Sequence, residues 1–212
     1  MTPSRRSLTV VAVLWIAAAL IYVVFEALAA AILPTYSYAD HYISALGVPE
    51  WSPRAYLMNA AFYVQGALFL LGAVIAVRAI PGRWTGGLFL LLTLTNAAGN
   101  VLVALVHGGS PLWVDGHKWL HMLGAILAIL GGNAAIIVGA FVIGRAVRVR
   151  WYRWVGALIG VAGLVILAML QSYAYWVVDY APIGTVERGC VYTIMLWQLV
   201  TGVVLLVWPK RD

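Results

Sequence analysis

Six long apolar stretches, parted by short segments that hold nearly all of the charge, set the pattern of this chain. They run over about 8–33, 55–80, 84–106, 117–144, 154–178 and 186–208. At about 1.5 Å rise per residue, each is long enough to cross a hydrocarbon core of about 30 Å. A backbone in lipid must satisfy its own hydrogen bonds, so each stretch predicts a transmembrane helix. The breaks carry stop signals. Pro34 closes the first stretch, and Pro81-Gly82 makes a tight turn that forces the second and third spans to be antiparallel neighbours. His107-Gly108-Gly109-Ser110-Pro111 forms the next turn, and Asp115 is placed as N-cap of the fourth span. Asp179 to Gly184, with Pro182, link the fifth span to the sixth, and Pro209-Lys210-Arg211-Asp212 follow it. The segment 34–54 is aromatic and polar. It predicts a short interfacial helix over Asp40 to Leu46, ended by Gly47.

Composition narrows the class. Of the 212 residues, 64% are apolar and 9% charged, against about 25% charged in a soluble domain. With a mean hydropathy of +0.97, a water-soluble fold is excluded. The expectation is one all-α polytopic membrane domain over residues 1–212. The single cysteine, Cys190, excludes an intramolecular disulfide and a cysteine-rich metal site. Arg5 and Arg6 before an apolar run ending in Ala27-Leu28-Ala29 imitate a signal peptide. The run from Leu8 to Phe25 exceeds the usual h-region of about 7 to 15 residues, so an uncleaved span is expected.

Charge then sets orientation. The 13 Lys and Arg fall in clusters between spans rather than on a soluble basic face, which argues against a nucleic-acid partner and leaves membrane lipids. With both termini cytoplasmic, ten of the 13 lie inside: Arg5, Arg6, Arg78, Arg83, Arg145, Arg148, Arg150, Arg153, Lys210 and Arg211. The positive-inside rule therefore predicts N-in and C-in topology in the cell membrane. The same assignment puts Asp40, Glu50, Asp115, Asp179, Glu187 and all four histidines outside, so any site opens outward.

Polar residues within the spans show the same bias. Glu26 lies roughly 27 Å along the first span; Asn59, Gln65, Asn96, Asn100, Gln171, Ser172, Tyr192 and Gln198 also favour the outer half, with Asn133 the main exception. Such groups are costly unless they face the bundle interior or water. They predict a polar cavity lined by the first four spans and the sixth, closed toward the cytoplasm. Amides also serve as interhelical glue, at about 0.6 to 2 kcal/mol each. Asn59, Asn100 and Arg188 are the candidate ligand-binding groups. The latter has a structural reading too, an arginine snorkelling to the interface.

His117 and His121 are four apart on one helix face, which is metal-ligand spacing. With His107 and Asp40 they form a candidate Zn²⁺ set, for which Glu187 or Glu26 would be the acid/base and Ser44 would orient the water. HxxxH without the Glu of HExxH is a weak motif, and interfacial histidines often only hydrogen-bond. Haem ligation by His107 with His121 is a lesser alternative.

The chain resembles the bacterial and archaeal six-helix membrane proteins grouped as domain of unknown function 998. The likeness rests on Ile43-Ser44-Ala45-Leu46-Gly47, Asn59, Gly66, Gly99-Asn100, His117, His121 and Gly184-Thr185-Val186-Glu187-Arg188. It implies the six-helix fold and no activity. More distantly, the chain is similar to the alkaline ceramidase and adiponectin-receptor group of intramembrane hydrolases. Those are seven-helix proteins that hold zinc with an HxxxH pair beside a Ser and an Asp, and Ser44, Asp40, His107, His117 and His121 are the positions here that resemble theirs. The resulting expectation is metal-assisted hydrolysis of a lipid-like substrate. A non-enzymatic lipid- or small-molecule-binding protein is the alternative, and a transporter the third.

Overall fold

The protein is seen in a computed structural model that describes residues 4–176 and 181–208. Six helices follow in order: α1 (Arg5–Ala30), α2 (Ala55–Ala79), α3 (Arg83–Leu105), α4 (Trp119–Ile143), α5 (Trp151–Trp176) and α6 (Ile183–Val207). A 3-10 turn (Ile43–Gly47) and a π turn (Trp113–His117) lie between them. All six helices are long and apolar enough to cross a membrane, so this is an all-α polytopic membrane fold. Asp179, Lys210, Arg211 and Asp212 lie outside the described residues.

The helix ends differ from the sequence expectation for local reasons. α1 starts at Arg5 rather than near Leu8 because Ser4 caps it, its Oγ accepting from the Ser7 N–H at 3.2 Å. It stops at Ala30, ahead of Pro34, where the Leu33 N–H turns back to the Ala30 carbonyl at 3.0 Å. Asp115 does not cap the fourth span. It sits in the π turn, where Gly116 at φ +90° takes the left-handed region and breaks the helix, so α4 begins at Trp119. The interfacial helix expected from Asp40 is only the turn Ile43–Gly47. Asp40 belongs to the preceding bend, where Ser37 Oγ donates to its Oδ2 at 2.6 Å. α6 begins right after Pro182, which fixes the backbone at the cap and costs no helix hydrogen bond.

Each helix packs on its chain neighbours, and α1 closes the ring on α6. α4 also touches α6, which leaves α5 at the periphery. Six antiparallel helices put α1's start and α6's end together at one end of the bundle, the terminal end. The segments 31–54 and 106–118 gather at the other, the loop end. The tightest approach is α3 on α4: a Cβ on Gly99 would overlap the Ala128 backbone nitrogen and the Gly124 carbonyl. Asn133 ties α4 to α6, donating to the Cys190 carbonyl at 2.8 Å and accepting from Thr193 Oγ1 at 2.8 Å. It is interhelical glue.

Four rings, Trp15, Phe69, Phe89 and Trp197, interlock at the bundle axis with centroids 5.1–6.4 Å apart. The Trp15 indole N–H donates to the Phe69 carbonyl at 3.2 Å, and Gly72 leaves room for its ring. Trp15 lies ten residues past Arg5, which places this plug about 15 Å from the terminal end.

Candidate functional site

Above the plug, on the loop side, α1 to α4 and α6 enclose a chamber of about 40 Å³. Tyr22, Ser44, Gln65, Asn96, Asn100 and Glu187 supply its polar lining. One water molecule needs about 10–15 Å³, so the chamber has room for water. Its amides are incompletely paired. Asn100 Nδ2 donates to Gln65 Oε1 at 3.0 Å and Asn96 Nδ2 to the Ala128 carbonyl at 2.7 Å. Among the described residues Gln65 Nε2 and Asn96 Oδ1 have no partner, a donor and an acceptor available to water or ligand.

A second hollow of about 320 Å³ adjoins the chamber. It lies between α4 and α5 and shares Ser44, Ala125, Ile129 and Glu187 with the chamber wall. Polar and aromatic groups stand at its loop end, where His121, Gln171, Tyr42 and Trp113 meet. Met122, Ile126, Ile129, Leu167 and Leu170 line the rest. From His121 to Ile129 is eight residues of α4, so the cleft runs about 12 Å along the helix.

Beside the chamber, Glu26 and Arg188 pair. Glu26 sits four residues before the end of α1 and Arg188 five after the start of α6, at matching depth. Arg188 Nη2 lies 2.9 Å from Glu26 Oε1 and Nε donates to the same oxygen at 3.0 Å, while Tyr192 O–H donates to Oε2 at 2.9 Å. The guanidinium also binds the loop. Nη1 donates to the Tyr38 carbonyl at 2.6 Å and to those of His41 and Gly184 at 3.0 and 3.1 Å; Nη2 donates to the Tyr36 hydroxyl. Its face stacks over the Tyr38 ring, 4.7 Å from the centroid. Every nitrogen of Arg188 is thus engaged, and this residue fastens segment 36–41 over the bundle. Burial pushes the Tyr36 and Tyr38 phenols above their ordinary range, which keeps both rings neutral beside Arg188. Tyr42 is raised for the same reason.

Glu187 faces the other way round the helix. Its Oε2 accepts from the Ile43 N–H at 2.5 Å, and its side chain lines both hollows. Asn59 holds the same turn from below, donating to the Gly47 carbonyl at 2.9 Å. The Ser44 residue of that turn is half-buried and borders both hollows.

The predicted metal ligands do not converge. Among the described residues no group of three or more His, Cys, Asp or Glu side chains is placed to hold a metal ion. Asp40 is exposed and held by Ser37, and His117 is exposed on the π turn. His107 Nδ1 donates to the Gly108 carbonyl at 2.8 Å and His121 Nδ1 to the Val106 carbonyl at 3.1 Å. That leaves His107 and His121 on either side of one chain turn instead of facing across the bundle, as a haem would need. As placed, these donors do not fit a zinc centre.

The family described as "Protein of unknown function (DUF998)" matches residues 16–204. The chain belongs to the DUF998 family. No curated protein and no solved structure matches it. The DUF998 match runs from α1 into α6, so it takes in Glu26, Arg188 and both hollows.

Some partners were not evident from sequence. Tyr36, Tyr38 and Tyr192 as clamps on Arg188 and Glu26 came only from the fold. The signal for the ion pair itself was present: one acid inside a span and one arginine at the same depth in another.

Proposed function

We propose that this chain binds one amphiphilic molecule in the cleft between α4 and α5, its head at the Ser44, His121 and Glu187 end and its tail along Ile126, Ile129 and Leu167. The carrying observation is the shape and polarity of that cleft: about 320 Å³, polar at the loop end, apolar for the rest, and continuous with the wall of a polar chamber. This volume falls at the lower end of small-molecule sites, about 300–1,000 Å³. Among the described residues no Lys or Arg lines the cleft, whereas Glu187 does, so the preferred head is cationic or hydroxyl-bearing. On this reading the loop end lies at the outer leaflet of the cell membrane with both termini inside, a placement supported by the clustering of arginines between the spans.

The test is native mass spectrometry of the purified protein, with Leu167→Trp to fill the cleft. Wild type retains a defined lipid, and L167W retains less than a tenth as much while melting normally. Equal retention by the two would refute the proposal.

A hydrolytic reading is favoured by one observation, that Ser44, His121 and Glu187 border the same cleft. Under it, Ser44→Ala abolishes turnover of the retained lipid without releasing it. Release and turnover both unchanged would leave binding as the function.

A further inference from the structure

A separate hollow of about 450 Å³ lies at the terminal end, where the connection from α4 meets the start of α5. It is lined by Arg148, Arg150 and Arg153 together with Trp151, Trp154 and Phe141. Among the described residues, no Asp or Glu is paired with any of these arginines. The neighbouring Arg145 is used differently, donating to the Pro81 carbonyl and Thr85 Oγ1 at 3.1 and 2.9 Å to pin the turn between α2 and α3.

The hollow is organised by its own contacts. Arg153 is fixed across it, Nε and Nη2 donating to the Gly144 carbonyl at 3.2 and 2.9 Å, which leaves Nη1 for a ligand. Trp154 packs edge-on against Phe141 at 5.7 Å. The first turn of α5 has no acidic residue to answer its free N–H groups, so its dipole adds to the positive field. Trp151 and Trp154 are 46% and 66% exposed at this end of a transmembrane helix. Tryptophan in that position marks headgroup depth. Three guanidinium groups at headgroup depth, beside an apolar wall, match a phosphate with acyl chains attached.

We infer that this pocket binds the phosphate-bearing headgroup of an anionic glycerophospholipid at the terminal end. The site is independent of the cleft between α4 and α5, which lies at the other end of the bundle. Delipidated protein, titrated with phosphatidylglycerol or phosphatidylcholine of matched chains and followed by native mass spectrometry, tests it. Phosphatidylglycerol binds at least about 10-fold more tightly than phosphatidylcholine. Arg148→Gln/Arg150→Gln weakens it about 25-fold, from about 5-fold per charge.

Arg148→Lys/Arg150→Lys guards against a change of topology, since it keeps every charge but loses the paired donors that grip phosphate. It binds phosphatidylglycerol several-fold more weakly than wild type. Equal binding of the two lipids by wild type, full binding by the lysine variant, or an equal loss in Arg5→Gln/Arg6→Gln would overturn the inference, because each reduces the pocket to diffuse charge. Displacement of the lipid by millimolar inorganic phosphate would overturn the lipid as the source of the anion.

Discussion

Removing the charge of Glu26 while keeping its shape is the sharpest probe of the loop-end architecture. In Glu26→Gln the amide still meets Tyr192 and Arg188, but the guanidinium, 7% exposed as a residue, loses its only paired carboxylate among the described residues. Removing one member of a buried ion pair costs about 3–5 kcal/mol. For a chain of this size that corresponds to a fall in Tm of about 6–20 °C. The reporter is built in: Cys190 is the one cysteine and is fully buried. A thiol-reactive fluorogenic maleimide therefore brightens only as the bundle opens. Arg188→Gln is also destabilising, and it alone frees the Tyr38 and His41 carbonyls, so it alone speeds proteolysis within segment 34–42. In the double variant no charge is stranded, and the loss is smaller than the sum of the singles by about 2 kcal/mol or more. Additivity within about 0.5 kcal/mol would refute the reasoning, since it would mean that the two groups do not act as a pair. So would a Glu26→Gln protein melting with wild type.

Two further outcomes follow from the packing. Gln198 is wholly buried and both of its side-chain polar atoms lack a partner among the described residues, so Gln198→Met should raise Tm by about 2–4 °C in the same dye assay. An unchanged or lower Tm would show that a group outside the described residues, or water, satisfies the amide. Gly99→Val drives a branched side chain into the α4 backbone, so Tm falls by at least about 5 °C or folded protein is lost; a normal melt would contradict the close approach of α3 and α4.

The six helices were legible because hydropathy is a property of each stretch by itself. Their ends were less so. At Asp115 a good capping residue precedes an apolar run, yet Gly116 beside it adopts φ +90° and detaches that turn from α4. The chamber could be anticipated from the depth of Gln65, Asn96, Asn100 and Glu187, since polar groups on separate helices must seek a common interior. The roles were harder to read. Glu26 and Arg188 are 162 positions apart, and nothing local shows that the arginine spends its donors on the loop. Asn59 likewise looks like a cavity residue until the Gly47 carbonyl is found against it. For the histidines, spacing gave a shared helix face, while the carbonyls of Val106 and Gly108 that occupy two of the rings are features of the folded turn.

The interlocked rings of Trp15, Phe69, Phe89 and Trp197 give the bundle a floor. A solute that reaches the chamber meets a dead end, and its exit is its entrance. Passage toward the terminal end would require α1, α2, α3 and α6 to part where these four rings meet.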